Sequence, residues 1–133
     1  MSDSDDELSK LDCELLAETA KGRVAISKQV SGEFRAIEDR KRFRLTRIME
    51  LWCDGRPLTE EMFNPNEGRA PQSNLMLQAF KVFKTRLYGF VRQVAKKKTF
   101  IIVDMDTAKK QNKSDKGILK RAKARINEIG KGN

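Results

Sequence analysis

Residues 55–74 carry Gly55, Pro57, Asn64-Pro65-Asn66, Gly68, Pro71 and Ser73-Asn74, the densest turn chemistry in the chain. The helical period of the apolar residues stops there and does not return for about forty residues. Helices are therefore expected before this break, strands after it, and a last helix at the end. That order defines an α+β fold: a small antiparallel sheet of three or more strands, with an N-terminal αα-hairpin and a C-terminal helix packed on one of its faces.

Upstream of the break, Val30, Phe34 and Ile37 fall at helical spacings of four and three. A second run over 40–53 places Phe43, Leu45, Ile48, Met49, Leu51 and Trp52 on an apolar face. Asp54-Gly55 ends it and Pro57 prevents its resumption. The basic corner Arg40-Lys41-Arg42 joins the two helices. Arg23 to Val30 is ambiguous between a brief strand and a helix entry. Before it, Leu8, Leu11, Leu15 and Leu16 have the spacing of one helix face, with Ser4 as cap and Gly22 as stop. Residues 1–22 are thus read as an acidic extension with a short helix, opened by a disordered lead-in over 1–7, and residues 23–133 as the main domain.

Downstream, Leu75–Val82 is apolar and broadly alternating, Arg86–Val94 alternates β-formers, and Thr99–Val103 is a β-branched and aromatic run suited to a buried strand. These three strands form an antiparallel meander. Asp104–Lys113 reads as a polar, basic loop. Ser114 then caps a helix whose apolar stripe is Ile118, Leu119, Ala122, Ile126 and Ile129, closed by Gly130.

The formal net charge of +9 is unevenly distributed. Residues 1–22 hold seven acids against two lysines, a net of −5, which leaves +14 on the remainder. Residues 95–133 alone carry a net of +8. Clustering of this kind favours phosphate backbones or an acidic partner. The sequence has no histidine, and its two cysteines, Cys13 and Cys53, are isolated, so zinc sites, Cys–His pairs and Ser–His–Asp triads are excluded. No cofactor and no metal are expected. No apolar run approaches the roughly 20 residues that span a bilayer, and the acidic N-terminus lacks the order of a secretory signal. The chain is expected in the cytoplasm.

Four stretches in order resemble the RelE/ParE toxin superfamily, in its HigB-like, phage-associated branch. They are Leu77-Gln78-Ala79-Phe80-Lys81-Val82, Arg86-Leu87-Tyr88-Gly89-Phe90-Val91-Arg92, Lys98-Thr99-Phe100-Ile101-Ile102, and the basic Ala108-Lys109-Lys110-Gln111-Asn112-Lys113 before the last helix. The resemblance spans roughly Ser27–Glu128. It implies the toxin of a type II toxin–antitoxin system, a metal-free endoribonuclease that cleaves mRNA on the ribosome and is restrained by an antitoxin of helix-turn-helix type. The chain departs from the pattern in having Ser114-Asp115 where a proline is common, and no Tyr or His among its final residues, IGKGN.

In such chemistry the substrate's 2′-hydroxyl is the nucleophile, and the protein moves protons and offsets charge on phosphorus. Crowded lysines and arginines suit that task, because like charges disfavour one another's protonated state. Arg86, Tyr88, Phe90 and Arg92 share one face of their strand by alternation. Arg86 and Tyr88, with Lys109 and Lys110 of the basic loop, are the expected catalytic groups. Lys81, Lys84, Arg92, Lys113 and Lys116 are the expected RNA contacts. The competing reading makes Tyr88 and Phe90 core, with Arg86 and Arg92 at the sheet margin. Lys120, Arg121, Lys123 and Arg125 are expected on the outer face of the last helix, steering by charge alone. The alternative function is a non-catalytic nucleic-acid-binding or ParE-like topoisomerase-poisoning protein of the same fold. The acidic extension is further expected to dock through its leucines and to mask basic surface.

Overall fold

The computed structural model of the protein describes residues 3–107 and 116–131. The elements run α1 (Asp3–Lys10), β1 (Cys13–Glu18), β2 (Gly22–Ser27), α2 (Lys28–Arg35), α3 (Asp39–Cys53), β3 (Phe63–Asn64), β4 (Gln78–Val82), β5 (Thr85–Val94), β6 (Lys97–Asp106) and α4 (Lys116–Lys131). The fold is α+β. One six-stranded open sheet has the order β1-β2-β6-β5-β4-β3. The expected meander is its β4-β5-β6 portion, antiparallel throughout. β2 pairs with β6 in parallel, from Gly22 against Lys98 to Ile26 against Ile102, so the sheet is mixed.

The helices lie on both faces of this sheet, which corrects the expected single face. Alternation decides the assignment. Val24, Ile26, Phe80, Leu87, Phe100 and Ile102 point to α2 and α3, where they meet Val30, Phe34, Leu45, Ile48, Met49 and Trp52. Phe80 and Phe100 approach to 4.6 Å between ring centroids, and Trp52 stands edge-on to both at 6.2 and 5.6 Å. Ala25, Ala79, Tyr88, Phe90, Ile101 and Val103 point the other way, under Leu8 of α1 and Ala122 and Ile126 of α4. A sheet apolar on both faces must be covered on both.

The αα-hairpin forms as expected. Ser27 caps α2, its hydroxyl accepting from the Gln29 amide at 3.3 Å. Arg42 closes the corner by donating to the carbonyls of Arg35 (2.6 Å) and Ile37 (3.2 Å) and to Asp39 (2.6 Å), satisfying acceptors that the end of α2 leaves open. Gly55, at φ 75°, stops α3.

Other expectations change as well. The leucines at 8, 11, 15 and 16 do not share a helix. The chain leaves α1 through Asp12 at φ 58°, and Leu15 and Leu16 belong to β1, the edge strand against β2. The boundary placed at 22/23 therefore falls at the first residues of β2, inside one sheet. α1 docks through Leu8, 3% exposed, and through Glu7, whose carboxylate accepts from the Ala95 amide at 2.8 Å. It sits at the Val94 end of β5, about 30 Å along a strand from the Lys81–Arg86 end, so it does not mask those cations. Asp104 and Asp106 are not loop residues but the buried end of β6. α4 runs through Gly130 to Lys131 rather than stopping at Gly130. Ser114 and the basic segment with Lys109, Lys110 and Lys113 lie outside the described residues.

Candidate nucleic-acid interface

The ridge of α3 and the β4–β5 turn face each other across a cavity of about 550 Å³. The volume is within the range of about 300–1,000 Å³ typical of small-molecule pockets. Its apolar floor includes Ile48 and Leu51 from α3, Val82 from β4, and Met62 from the intervening loop. Arg44 and Arg47 on α3 and Lys84 in the turn supply its cations, while Lys81 on β4 and Arg86 on β5 border it with side chains that alternate to the Ala79 and Tyr88 face of the sheet, away from α3. Two aromatic rings complete it. Phe43 on α3 is 77% exposed and Phe83 in the turn is 76% exposed.

Both rings are exposed for local reasons. On α3 the buried positions Leu45, Ile48, Met49 and Trp52 take the side facing the sheet, and Phe43 falls outside that stripe. Phe83 and Lys84 form a two-residue hairpin turn. Such turns favour Asn-Gly or Gly-containing pairs because left-handed backbone is needed. Phe83 nevertheless sits at φ 53°. The Arg44 guanidinium lies 5.2 Å from its ring centroid. An aromatic residue kept in a left-handed conformation, with its ring in solvent, contributes little to the core.

That geometry makes a direct prediction. Phe83→Gly removes a left-handed penalty of about 1–2 kcal/mol and loses a cation–π contact of about 0.5–1 kcal/mol. Urea unfolding should therefore show stability unchanged or slightly raised. A loss above about 1 kcal/mol would mean that the ring has a packing role.

The expected site residues separate. Lys84 lies on the cavity wall, and Lys81 and Arg86 border it on the two strands that the turn joins, their side chains on the opposite face of the sheet. Arg86 also pairs with Glu67 at 3.1 Å, its side chain 16% exposed. Tyr88 is 0% exposed within the core under α4, so its assignment as a stacking or proton-donating ring is overturned. The same alternation that places Tyr88 beside Phe90 places it under the second helix layer. Arg92 donates to the Ile129 carbonyl of α4 at 3.2 Å and does not line the cavity. Lys116 is exposed on the first turn of α4, also away from the cavity lining.

Arg121 and Arg125 were expected to point outward, yet both reach Asp104. Arg121 donates to its two oxygens at 2.6 and 2.7 Å, and Arg125 stands 3.1 Å away. A third bond, from the Met105 amide at 2.8 Å, completes a fully buried carboxylate that fastens α4 to β6. Phe43, Arg44, Arg47, Glu61 and Phe83 were not anticipated as site residues. The one available signal was Phe83-Lys84 standing where a hairpin turn calls for Gly or Asn.

Both cysteines are buried, and burial pushes their thiols up to about 11. A nearby Asp12 carboxylate adds to the rise at Cys13. Neither offers a thiolate nucleophile at neutral pH. Among the described residues no group of His, Cys, Asp and Glu could hold a metal ion, and no described helix is long and apolar enough to cross a membrane. No family model, curated protein or solved structure matches this chain.

Proposed function

We propose that the protein binds single-stranded RNA in the cavity between α3 and the β4–β5 turn. The observation that carries this reading is the pairing of two solvent-exposed phenylalanines with three cations, Arg44, Arg47 and Lys84, in one concave surface. Unstacked bases are recognised by stacking on exposed rings, and the backbone is held by neighbouring Lys and Arg. A duplex keeps its bases stacked and offers nothing to Phe43 and Phe83.

A second reading, metal-free cleavage of mRNA by a toxin, is favoured by one observation. Lys84, expected from the family resemblance to contact phosphate, lines this cavity, and Lys81 and Arg86, expected with it, border it on the adjoining strands. On that reading the ribosome and an antitoxin are the partners, and the groups that move protons are lysines, because Tyr88 is buried.

One experiment separates these readings. A labelled single-stranded oligoribonucleotide is titrated with the protein at several salt concentrations, and then run on a denaturing gel after incubation in EDTA. Binding is expected to weaken with salt at a log–log slope of about −0.7 per phosphate neutralised. Phe43→Ala should weaken it by roughly 5- to 150-fold, the equivalent of about 1–3 kcal/mol per stacked base. Cleavage lost in Arg86→Ala supports the toxin reading, and intact RNA supports binding alone. Equal affinity for duplex and single strand, with no effect of Phe43→Ala, would refute the proposal.

A further inference from the structure

We infer that Glu61 reads the base held in the cavity and that the base it selects is guanine, an inference that rests on the RNA-binding reading above. Glu61 is the one carboxylate among the cavity's lining residues, beside the cations Arg44, Arg47 and Lys84. It is exposed and makes no ion pair among the described residues. Its place in the chain is nonetheless fixed. The amides of Met62 and Phe63 both donate to the Thr59 carbonyl, at 3.0 and 3.1 Å, which closes a tight turn around Glu61. The Lys81 amide donates to the Met62 carbonyl at 2.8 Å and ties that turn to β4.

A carboxylate in this position opposes the binding of a phosphate chain, since it adds negative charge where the backbone must approach. It favours a ligand that brings hydrogen-bond donors, because an ionised carboxylate only accepts. Among the four bases of RNA, guanine alone presents two adjacent donors on its pairing edge, the ring N1–H and the exocyclic amine. Together they match the two oxygens of one carboxylate in the bidentate geometry that makes charge-assisted bonds strong. Adenine and cytosine set an acceptor nitrogen beside their amine, and uracil flanks its single N–H with two carbonyls. Each of these directs a lone pair at the carboxylate. With Phe43 and Phe83 fixing the plane of the base, Glu61 meets its edge, and the cations are left to the phosphates.

The test uses the full chain and labelled pentamers UUGUU, UUAUU, UUCUU and UUUUU, with UUIUU containing inosine, followed by fluorescence anisotropy. UUGUU should bind roughly 5- to 150-fold more tightly than the others, the discrimination of about 1–3 kcal/mol that a bidentate contact to a base provides. Inosine lacks the exocyclic amine and should fall between guanine and the rest. Glu61→Gln should abolish the preference while binding UUUUU at least as tightly as the wild type, because a repelling charge has been removed. Far-UV circular dichroism checks that this variant is folded. If all pentamers bind the wild type equally while Phe43→Ala weakens every one, the cavity binds RNA without Glu61 reading guanine, and this inference falls while the binding reading stands. A guanine preference that survives Glu61→Gln likewise overturns it. If no pentamer binds, both fall.

Discussion

Gly89→Ala is expected to cost at least the upper end of the roughly 1–3 kcal/mol seen for overpacked cores, and to leave much of the protein unfolded. Gly89 lies in the middle of β5, opposite Ile102 of β6 and Gln78 of β4. A Cβ there would stand 2.2 Å from the Ile101 carbonyl oxygen, 2.8 Å from its carbon and 2.5 Å from the Phe100 ring. Neither neighbour can withdraw. The carbonyl belongs to the central ladder, and the Phe100 ring is held between Phe80 and Trp52. A register shift in the β5–β6 pairing falls between Tyr88 and Gly89. Gly32→Ala is the control. It sits in α2 with nothing within 4 Å of its added carbon, and should stabilise by roughly 0.5–1 kcal/mol. Urea unfolding of the two variants should move in opposite directions. A Gly89→Ala protein as stable as the wild type would show that this part of the sheet relaxes.

Asp104→Ala should have the second large effect, a loss of about 3–5 kcal/mol, the usual consequence of removing one partner of a buried ion pair. Arg125, its side chain 20% exposed, would be left facing an empty site, and the Met105 amide would lose its acceptor. Arg121, about half exposed, can turn to water and adds less. Arg121→Ala alone should therefore cost much less than Asp104→Ala. Hydrogen exchange would show the loss first in α4, since the carboxylate holds two of its arginines to β6 and its removal leaves the Arg125 bond to the Val103 carbonyl. Uniform weakening across the sheet, with α4 protected, would contradict this account.

The meander was legible in the sequence because Arg86–Val94 alternates and Thr99–Val103 is continuously apolar. That continuous run also carried the evidence for helices on both faces, since a strand apolar at every position is covered on each side. The N-terminal leucines misled because Leu8, Leu11, Leu15 and Leu16 satisfy a helical period while Glu14-Leu15-Leu16-Ala17 also fits an edge strand. The left-handed Asp12 and the hairpin with β2 decide the matter, and neither is a local preference. The site was legible on one wall only. Lys81, Lys84 and Arg86 are close in sequence, as a hairpin makes them. Phe43, Arg44 and Arg47 come near that turn only because α3 crosses that end of the sheet. Tyr88 shows the reverse error, an aromatic read as functional that the second helix layer claims for the core.

The parallel pairing of β2 with β6 joins residues 76 positions apart, Gly22 with Lys98 through Ile26 with Ile102. During synthesis, at about 5–20 residues per second, β2 therefore waits on the order of 4–15 s for the strand that completes it. Through that interval β1 is its one native neighbour already made, and every residue of β2 is one the finished protein buries. Such non-local pairings are slow to form and leave unpaired strand edges open to other chains meanwhile. The nascent chain thus carries a hazard of aggregation at β2, and the arrival of β6 is what ends it.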